Sequence, residues 1–180
     1  RWVGRRVLVE PTLCCQVRRI EPPCPRCAAG EFGACEYFGA SPEVAGMLPP
    51  GSSIGYNAAT GGSFGEYFIA HQSQLVPLDD SISDEQAILV DPLACSLHAI
   101  LRADLREVRR VLVYGAGVLG LGAIAVLRAM GYPGEIHALD RAPYLEKLAA
   151  SLGADKFVRL PNDPGGRFER IAELTGGRVT

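Results

Sequence analysis

A glycine-rich turn between a predicted strand and a predicted helix is the first feature whose residues suggest a ligand. Residues 115–120 read Gly-Ala-Gly-Val-Leu-Gly, which fits the pattern G-x-G-x-x-G, and Asp140 lies 20 residues beyond the last glycine. Such a turn presents backbone amides to a diphosphate, and the acid accepts hydrogen bonds from ribose hydroxyls. The predicted cofactor-binding residues are therefore Gly115, Gly117, Val118, Leu119, Gly120, Asp140 and Arg141.

The charges beside the ribose indicate which dinucleotide this turn favours. The carboxylate of Asp140 would repel a 2′-phosphate, so NAD is favoured over NADP. Arg141 follows directly and could accommodate that phosphate, so NADP remains possible. The alternative interpretation is a glycine-rich turn in a strand–helix unit that binds no ligand.

A second group of residues has the types and spacing of a metal site. Cys24 and Cys27 form a C-x2-C pair, and Cys35 follows after seven intervening residues. Two thiolates on a tight turn can bind one zinc ion, and a closed structural site needs four ligands. Two residues are candidates for the fourth position: the thiolate of Cys15 is the softer ligand, and Glu21 stands three residues before Cys24. The alternative is a loop of reduced cysteines without metal.

The remaining cysteines, Cys14 and Cys95, fit no ligand spacing in this cluster, and we expect each to be a small buried side chain. Six cysteines are too few for a disulfide framework in a chain of 180 residues. In an intracellular setting, closely spaced cysteines indicate metal ligands before disulfides.

The composition is that of an ordinary globular protein and excludes several other classes. Hydrophobic residues make up 48% of the chain, which excludes a disordered tail. The formal net charge of −2 argues against nucleic-acid binding. Residues 111–127 carry no charge, but this run is short for a membrane span and contains four glycines. A buried strand that turns into a buried helix explains it better.

The two halves of the chain predict different architectures. The first half favours irregular β structure, with short strands at residues 6–10, 66–70 and 74–76. Its long excursion at residues 11–55 needs something to hold it, and a metal is the obvious candidate. Ser83 and Gln86 then form a capping box for a helix that is interrupted near Pro92 and resumes to about residue 103.

The second half predicts a parallel sheet with helices on its faces, because strands and helices alternate along it. The predicted strands lie at residues 111–114, 135–139 and 156–158. The predicted helices lie at residues 118–130, 143–152 and 167–174.

Together these features resemble the zinc-containing medium-chain dehydrogenase/reductase family, which includes alcohol, sorbitol and threonine dehydrogenases. Cys24, Cys27 and Cys35 match three structural-zinc ligands of that family, and Glu21 falls on the first ligand position by spacing. The resemblance implies an α/β fold: a Rossmann-type parallel sheet, preceded by part of an irregular, mostly β GroES-like catalytic domain. The implied domains are residues 1–82, with a zinc lobe at about residues 14–36, and residues 83–180, the first half of the Rossmann domain.

The resemblance also implies a reaction, in which a hydride moves between a primary or secondary alcohol or polyol and the nicotinamide of NAD or NADP. The segment that begins Asp91-Pro92 is similar to the family's Glu-Pro-Leu segment, whose acid ligates or approaches the catalytic zinc. Asp91 is therefore the candidate catalytic and metal-binding acid. The alternative role for Asp91 is an acid at a helix kink, hydrogen-bonded to backbone that Pro92 leaves free.

The sequence departs from the family at its other catalytic-zinc ligands. The family takes a Cys and a Gly-His-Glu pair from a region that would precede this chain, and none of His71, His98 and His137 is followed by Glu. His98 falls on a packing position in the family's helix. We therefore expect a central segment, truncated at both ends, that shows no dehydrogenase turnover alone. The alternative function is a non-catalytic dinucleotide-binding member of the same fold.

The resemblance implies a cytoplasmic homo-oligomer, a dimer or tetramer at full length. It implies a small-molecule alcohol or polyol as substrate, and neither a nucleic-acid nor a membrane partner.

Overall fold

The computed structural model describes residues 2–39 and 48–177, and the chain divides into two compact units. The first unit spans residues 1–83 and the second spans residues 84–180. The sequence predicts the boundary one residue earlier, after residue 82. Part of the predicted excursion at residues 11–55, namely residues 40–47, lies outside the described residues.

The first unit is built on a small antiparallel sheet. Strand β1 (Val7–Val9) pairs with strand β2 (Leu75–Pro77), and Leu8 lies opposite Val76. Two one-turn helices, α1 and α2, span Cys15–Arg18 and Pro25–Ala28. Two 3-10 turns span Phe32–Ala34 and Gln72–Gln74.

Residues 66–70 do not form the strand that the sequence predicts. A strand needs a ladder of backbone hydrogen bonds to a neighbour, and here Ile69 donates one bond to the carbonyl of Thr60 at 3.2 Å. Just before it the chain makes a turn, in which the Gly65 amide donates to the Gly62 carbonyl at 3.0 Å. The segment is therefore an irregular loop.

The second unit contains the expected parallel sheet. Its strands, hydrogen-bonded in the order β3-β4-β5, span Arg110–Tyr114, Glu135–Asp140 and Lys156–Arg159. Its helices α3 to α7 span Asp84–Ala87, Val90–Arg102, Val118–Ala129, Glu146–Ser151 and Pro164–Thr175. Strands and helices alternate from β3 onward, which confirms the partial Rossmann-type sheet. No described helix has both the length and the apolar composition that crossing a membrane requires.

Three helix boundaries differ from the sequence prediction. The interruption lies between α3 and α4, and Pro92 is the third residue of α4, where its missing amide costs no intrahelical bond. The predicted helix at residues 143–152 begins as a 3-10 turn, Pro143–Leu145, before α6. Helix α7 begins earlier than predicted because Asp163 caps it, accepting the Gly166 amide at 2.6 Å.

The core of the second unit lies between α5 and the sheet. Ile124 and Leu127 of α5 are fully buried and pack on apolar side chains of β3 and β4. Helix α4 packs on α5 through Ser96, whose hydroxyl donates to the carbonyl of Leu119 at 2.9 Å. This approach requires the missing side chain of Gly122, whose Cβ would lie 2.8 Å from Ser96 Oγ.

Candidate metal centre and dinucleotide loop

Four buried thiols come together in the first unit. The sulfur atoms of Cys15, Cys24, Cys27 and Cys35 all lie within 4.8 Å of one another. The Sγ atoms of Cys15 and Cys35 are 3.7 Å apart. Two sulfurs on one tetrahedral zinc ion, at Zn–S bonds of about 2.3 Å, would be separated by about 3.8 Å. The donor set and its spacing therefore fit a closed zinc site.

Short local elements position these thiols. Cys15 begins α1, and Cys24 is the N-cap of α2, so its Sγ accepts the Cys27 amide at 3.4 Å. The Cys24 amide in turn donates to the Sγ of Cys15 at 3.4 Å. Such N–H···S bonds favour the thiolate form, which is the form that binds metal.

The thiols differ in how readily they ionise without metal. The backbone amide of Glu36 is the main cause that lowers the pKa of Cys24 to about 7. Burial raises the pKa of Cys15 and of Cys27. One thiolate is therefore available near neutral pH, and the charge of a bound cation would be needed to deprotonate the others.

The geometry favours Cys15 over Glu21 as the fourth ligand, a choice that the sequence leaves open. Glu21 is exposed and does not belong to the group of ligand atoms. Cys14 is buried beside the cluster, as expected, but its thiol is not a member of the group either.

The expectations for Cys95 and His98 are wrong, because both side chains are exposed on α4. The buried residue of that helix is Ser96. Successive helical residues are rotated by about 100° around the axis, so Cys95 and His98 point away from the side that packs.

The glycine turn is tight and leaves open space at the N-terminus of α5. Gly115 has φ +93°, which a side chain would strain, and a Cβ on Gly120 would lie 1.8 Å from the Gly115 carbonyl oxygen. A Cβ on Gly117 would meet nothing within 4 Å. Gly117, Val118 and Leu119 are exposed at the start of α5, where helix geometry leaves amides without intrahelical partners and a partial positive charge.

Asp140 lies at the end of β4 and is hydrogen-bonded to the glycine turn. Its Oδ2 accepts the Ala116 amide at 2.7 Å, and its Oδ1 accepts the Ala142 amide at 2.9 Å. Burial opposes ionisation, but these two amides, with help from Arg141, keep the pKa of Asp140 below its usual value. The carboxylate is half-buried and retains lone pairs that can accept further hydrogen bonds. Arg141 is exposed beside it.

Asp91 is not part of an assembled metal site among the described residues. It is exposed in the first turn of α4, and the four-cysteine group is the one cluster of metal-binding side chains found in the described part of the chain. The structure therefore gives no ligand set around Asp91, and no catalytic step through a metal follows from its position.

Arg18 is a fully buried side chain in the same short helix as Cys15, and its burial was not expected from the sequence. Arginine is almost never fully buried unless it is paired, and no motif marks this one. The spacing could have predicted this burial, because Arg18 follows Cys15 by about one helical turn. The two side chains therefore share one face of α1.

Asp140 predicts a specific pH dependence of stability. We expect Asp140→Asn to lower the free energy of unfolding at neutral pH by about 1–2 kcal/mol, because the side-chain oxygen of Asn can accept only one of the two backbone amides and its NH2 group, a donor, faces the other. The folded-state pKa is depressed, so the carboxylate's contribution is complete above about pH 4 and is lost as the pH falls through the folded pKa. Urea unfolding should show that the difference in the free energy of unfolding between the wild type and Asp140→Asn becomes smaller below about pH 4. A difference that stays constant from about pH 7 to about pH 3 would contradict this assignment.

Comparison with known proteins agrees with these features. Residues 1–80 match the family model for the alcohol dehydrogenase GroES-like domain. An erythritol/L-threitol dehydrogenase of Mycolicibacterium smegmatis is 32% identical over 98% of this chain and 44% of its own length. An (R,R)-butanediol dehydrogenase of Bacillus subtilis is 35% identical over 68% of this chain and 34% of its own. The chain therefore spans less than half the length of these relatives.

A solved structure shows the same arrangement of elements. The crystal structure of an alcohol dehydrogenase from Escherichia coli CFT073, in complex with NADH, aligns with 96% of this chain and 44% of its own. The TM-score is 0.71 at 26% sequence identity. This alignment covers both the unit with the cysteine cluster and the unit with the glycine turn.

Proposed function

Because the chain belongs to the zinc-containing medium-chain dehydrogenase/reductase family, we propose that the protein is an alcohol or polyol dehydrogenase that uses NAD. The observation that carries this proposal is the hydrogen bond between Asp140 and the Ala116 amide of the glycine turn. It holds an ionised carboxylate beside an open helix N-terminus, which is the pairing that a dinucleotide with a free ribose 2′-hydroxyl requires.

Different residues of the second unit would bind different groups of NAD. The amides at the start of α5 would bind the diphosphate, and the open space in front of Gly117 would admit it. Asp140 would accept hydrogen bonds from the adenosine ribose, and its charge would disfavour a 2′-phosphate. Bound NAD supplies the chemistry of accepting a hydride from the alcohol carbon.

We assign the four cysteines of the first unit as the ligands of a structural zinc. All four thiols are buried, so the ion would have no open coordination position for a substrate. Its role would be to hold residues 14–36 in place. The protein fold around it consists of short helices and turns that bury few aliphatic side chains.

A second candidate function, a non-catalytic dinucleotide-binding protein of the same family, is favoured by the surroundings of Asp91. This acid remains our candidate for the catalytic metal site, but no second ligand accompanies it among the described residues. The dehydrogenase is the leading proposal because the curated relatives are named dehydrogenases.

Dinucleotide binding is the first test of the proposal. We expect the 180-residue chain to bind NADH at least about tenfold more tightly than NADPH, measured by isothermal titration calorimetry. Asp140→Asn should weaken NADH binding and reduce this difference, because the variant lacks the charge that repels a 2′-phosphate. Equal binding of NADH and NADPH by the wild type would contradict the assignment of Asp140. Absence of saturable NADH binding would contradict the proposed function.

Zinc content and turnover then separate the two candidate functions. A structural site alone predicts one zinc per chain, whereas two zinc ions would indicate that a catalytic site is also assembled. Because the 180-residue chain alone is expected to show no turnover, activity is measured on a chain extended by the residues that flank it in its gene. NAD reduction by erythritol or butanediol in that longer protein, followed by NADH absorbance, would establish the dehydrogenase. NADH binding without turnover by the longer protein, with one zinc bound, would favour the non-catalytic alternative.

We also propose that the protein is cytoplasmic and forms a homo-oligomer. The six cysteines are free, and a thiolate site persists in a reducing compartment such as the cytoplasm. The family resemblance favours a homodimer or homotetramer, which size-exclusion chromatography with light scattering would measure.

A further inference from the structure

Two pairs of thiols in the four-cysteine group lie where disulfides could form. The Sγ atoms of Cys15 and Cys35 are 3.7 Å apart. Cys24 and Cys27 lie on one turn, where the Cys27 amide donates to the Sγ of Cys24 at 3.4 Å. A disulfide joins its sulfurs at about 2.0 Å. Because all four Sγ atoms lie within 4.8 Å of one another, each pair needs to approach by less than about 3 Å to form the bond.

The exposure of these cysteines gives an oxidant access to each pair. Cys27 is 8% exposed and Cys35 is 5% exposed, whereas Cys24 is 3% exposed and Cys15 is fully buried. Each pair therefore combines one cysteine that solvent reaches more easily with one that lies deeper. A small oxidant would attack the first of these thiols, and the deeper thiol lies ready to react with the product.

Disulfides would also take over the task that we assign to the metal. The zinc lobe (residues 14–36) is built of short helices and turns around a core composed largely of thiols. Cys15 and Cys35 are 20 residues apart, so a bond between them would constrain most of the lobe. A disulfide sulfur is no longer a thiolate and does not bind zinc. The lobe could therefore be held by the ion or by disulfides, but not by both at once.

We propose that the four-cysteine centre is a redox-sensitive site, in which a peroxide converts the thiols into the disulfides Cys15–Cys35 and Cys24–Cys27. This inference rests on the proposed structural zinc, because the oxidised form is the one that cannot hold the ion. In each pair, hydrogen peroxide transfers one oxygen to the first thiol, its O–O bond breaks, and a sulfenic acid and water form. The second thiol then displaces water from the sulfenic acid, and the S–S bond forms.

The balance of this reaction sets the amount of oxidant for the test. Each disulfide removes two electrons and two hydrogens from its thiols and consumes one peroxide, which is reduced to two waters. Four thiols and two peroxides therefore give two disulfides and four waters. The metal-free chain should be fully converted by about two molar equivalents of hydrogen peroxide, and its mass should fall by that of four hydrogens.

Disulfide mapping of the oxidised chain tests the pairing. Cleavage after Arg26 and after Glu31 places the three later cysteines of the group on separate peptides. Mass spectrometry of these peptides should show the two disulfides proposed above. Either of the other two pairings of four cysteines would contradict the geometric argument.

Variants of the two cysteines outside the group are the matched controls. Cys95→Ser removes an exposed thiol that could join two chains, so this variant is the background for every measurement. Cys14→Ser removes a buried thiol that precedes Cys15 and is not a member of the group. It should form the same disulfides with the same amount of peroxide. A disulfide that includes Cys14 would overturn the proposed pairing.

Zinc release and amide exchange test whether disulfides and metal replace each other. In the zinc-loaded protein, peroxide should release the bound ion to a chromogenic chelator, and reduction with dithiothreitol should restore zinc binding. Hydrogen–deuterium exchange in the zinc lobe should be at least about tenfold faster in the reduced, metal-free chain than in the zinc-bound chain. In the oxidised chain it should stay within about threefold of the zinc-bound value. Peptides from β3, β4 and β5 should be unchanged, because they belong to the other unit.

The outcomes separate this inference from the proposed function. A chain that binds no Zn²⁺ would contradict the structural zinc, and disulfide mapping of the same chain would still decide the redox chemistry. If Zn²⁺ binds but the metal-free thiols survive peroxide or gain oxygen without forming disulfides, the redox inference is wrong. If the oxidised lobe exchanges as fast as the reduced, metal-free lobe, the disulfides do not replace the metal.

Discussion

Cys35→Ser is expected to abolish zinc binding and to unfold the first unit. Without the ion, the variant retains a core composed largely of thiols, with few aliphatic side chains to stabilise it. A serine hydroxyl is a poor zinc ligand, and loss of a structural metal belongs to the small class of changes that destabilise by more than about 4 kcal/mol. Zinc content by plasma mass spectrometry and unfolding followed by the fluorescence of Trp2, which lies in this unit, would measure both effects.

Cys95→Ser is the matched control for this prediction. The same chemical change is made at an exposed cysteine of the other unit, so zinc content and unfolding should match the wild type. Chelation of the wild type should reproduce the behaviour of Cys35→Ser. A Cys35→Ser protein that keeps its zinc and its stability would show that the four thiols are a packed cluster and not a metal site.

Alanine at either of two glycines of the same turn is expected to weaken NADH binding, but only one of the two substitutions should destabilise the fold. Gly120→Ala places a methyl group 1.8 Å from a backbone oxygen, so the turn must rearrange, at a cost of about 3 kcal/mol or more, and NADH binding is lost with it. Gly117→Ala meets no protein atom within 4 Å and should change stability by less than about 1 kcal/mol. Its methyl group nevertheless occupies the space that we assign to the diphosphate, so NADH binding should fall at least about tenfold.

Thermal unfolding and NADH titration of the two variants separate folding from binding. The result that would contradict the assignment is a Gly117→Ala protein with wild-type affinity for NADH, since the open space would then not be the diphosphate site. Loss of stability in both variants would indicate that the turn tolerates no side chain at all.

The second unit was largely predictable, because its local patterns agree with its tertiary structure. Apolar runs gave the strands β3 and β4, and the glycine pattern gave the turn and the start of α5. The spacing of Cys24, Cys27 and Cys35 likewise predicts a metal site, because these cysteines lie close together in the sequence.

The remaining features depend on contacts between residues far apart in sequence. The preference for Cys15 over Glu21 comes from the way residues 15–24 fold back, which brings the Cys15 thiol to the other three and which no local spacing reports. The buried position of Arg18 depends on carbonyls some 30 residues away. Residues 66–70 have a strand-like composition, but a strand forms only where a neighbouring chain offers a ladder of acceptors, and the sequence does not show that one is missing.

The contact between Ser96 and Gly122 joins helix α4 to helix α5 and restricts how these two helices can move relative to each other. Asp91 lies on the first of these helices, and the second carries the glycine turn at its start. Because this close approach leaves no room for a methyl group, neither helix can shift along the other at this point without a clash. The position of Asp91 relative to the glycine turn is therefore fixed within the second unit by a contact between two small residues.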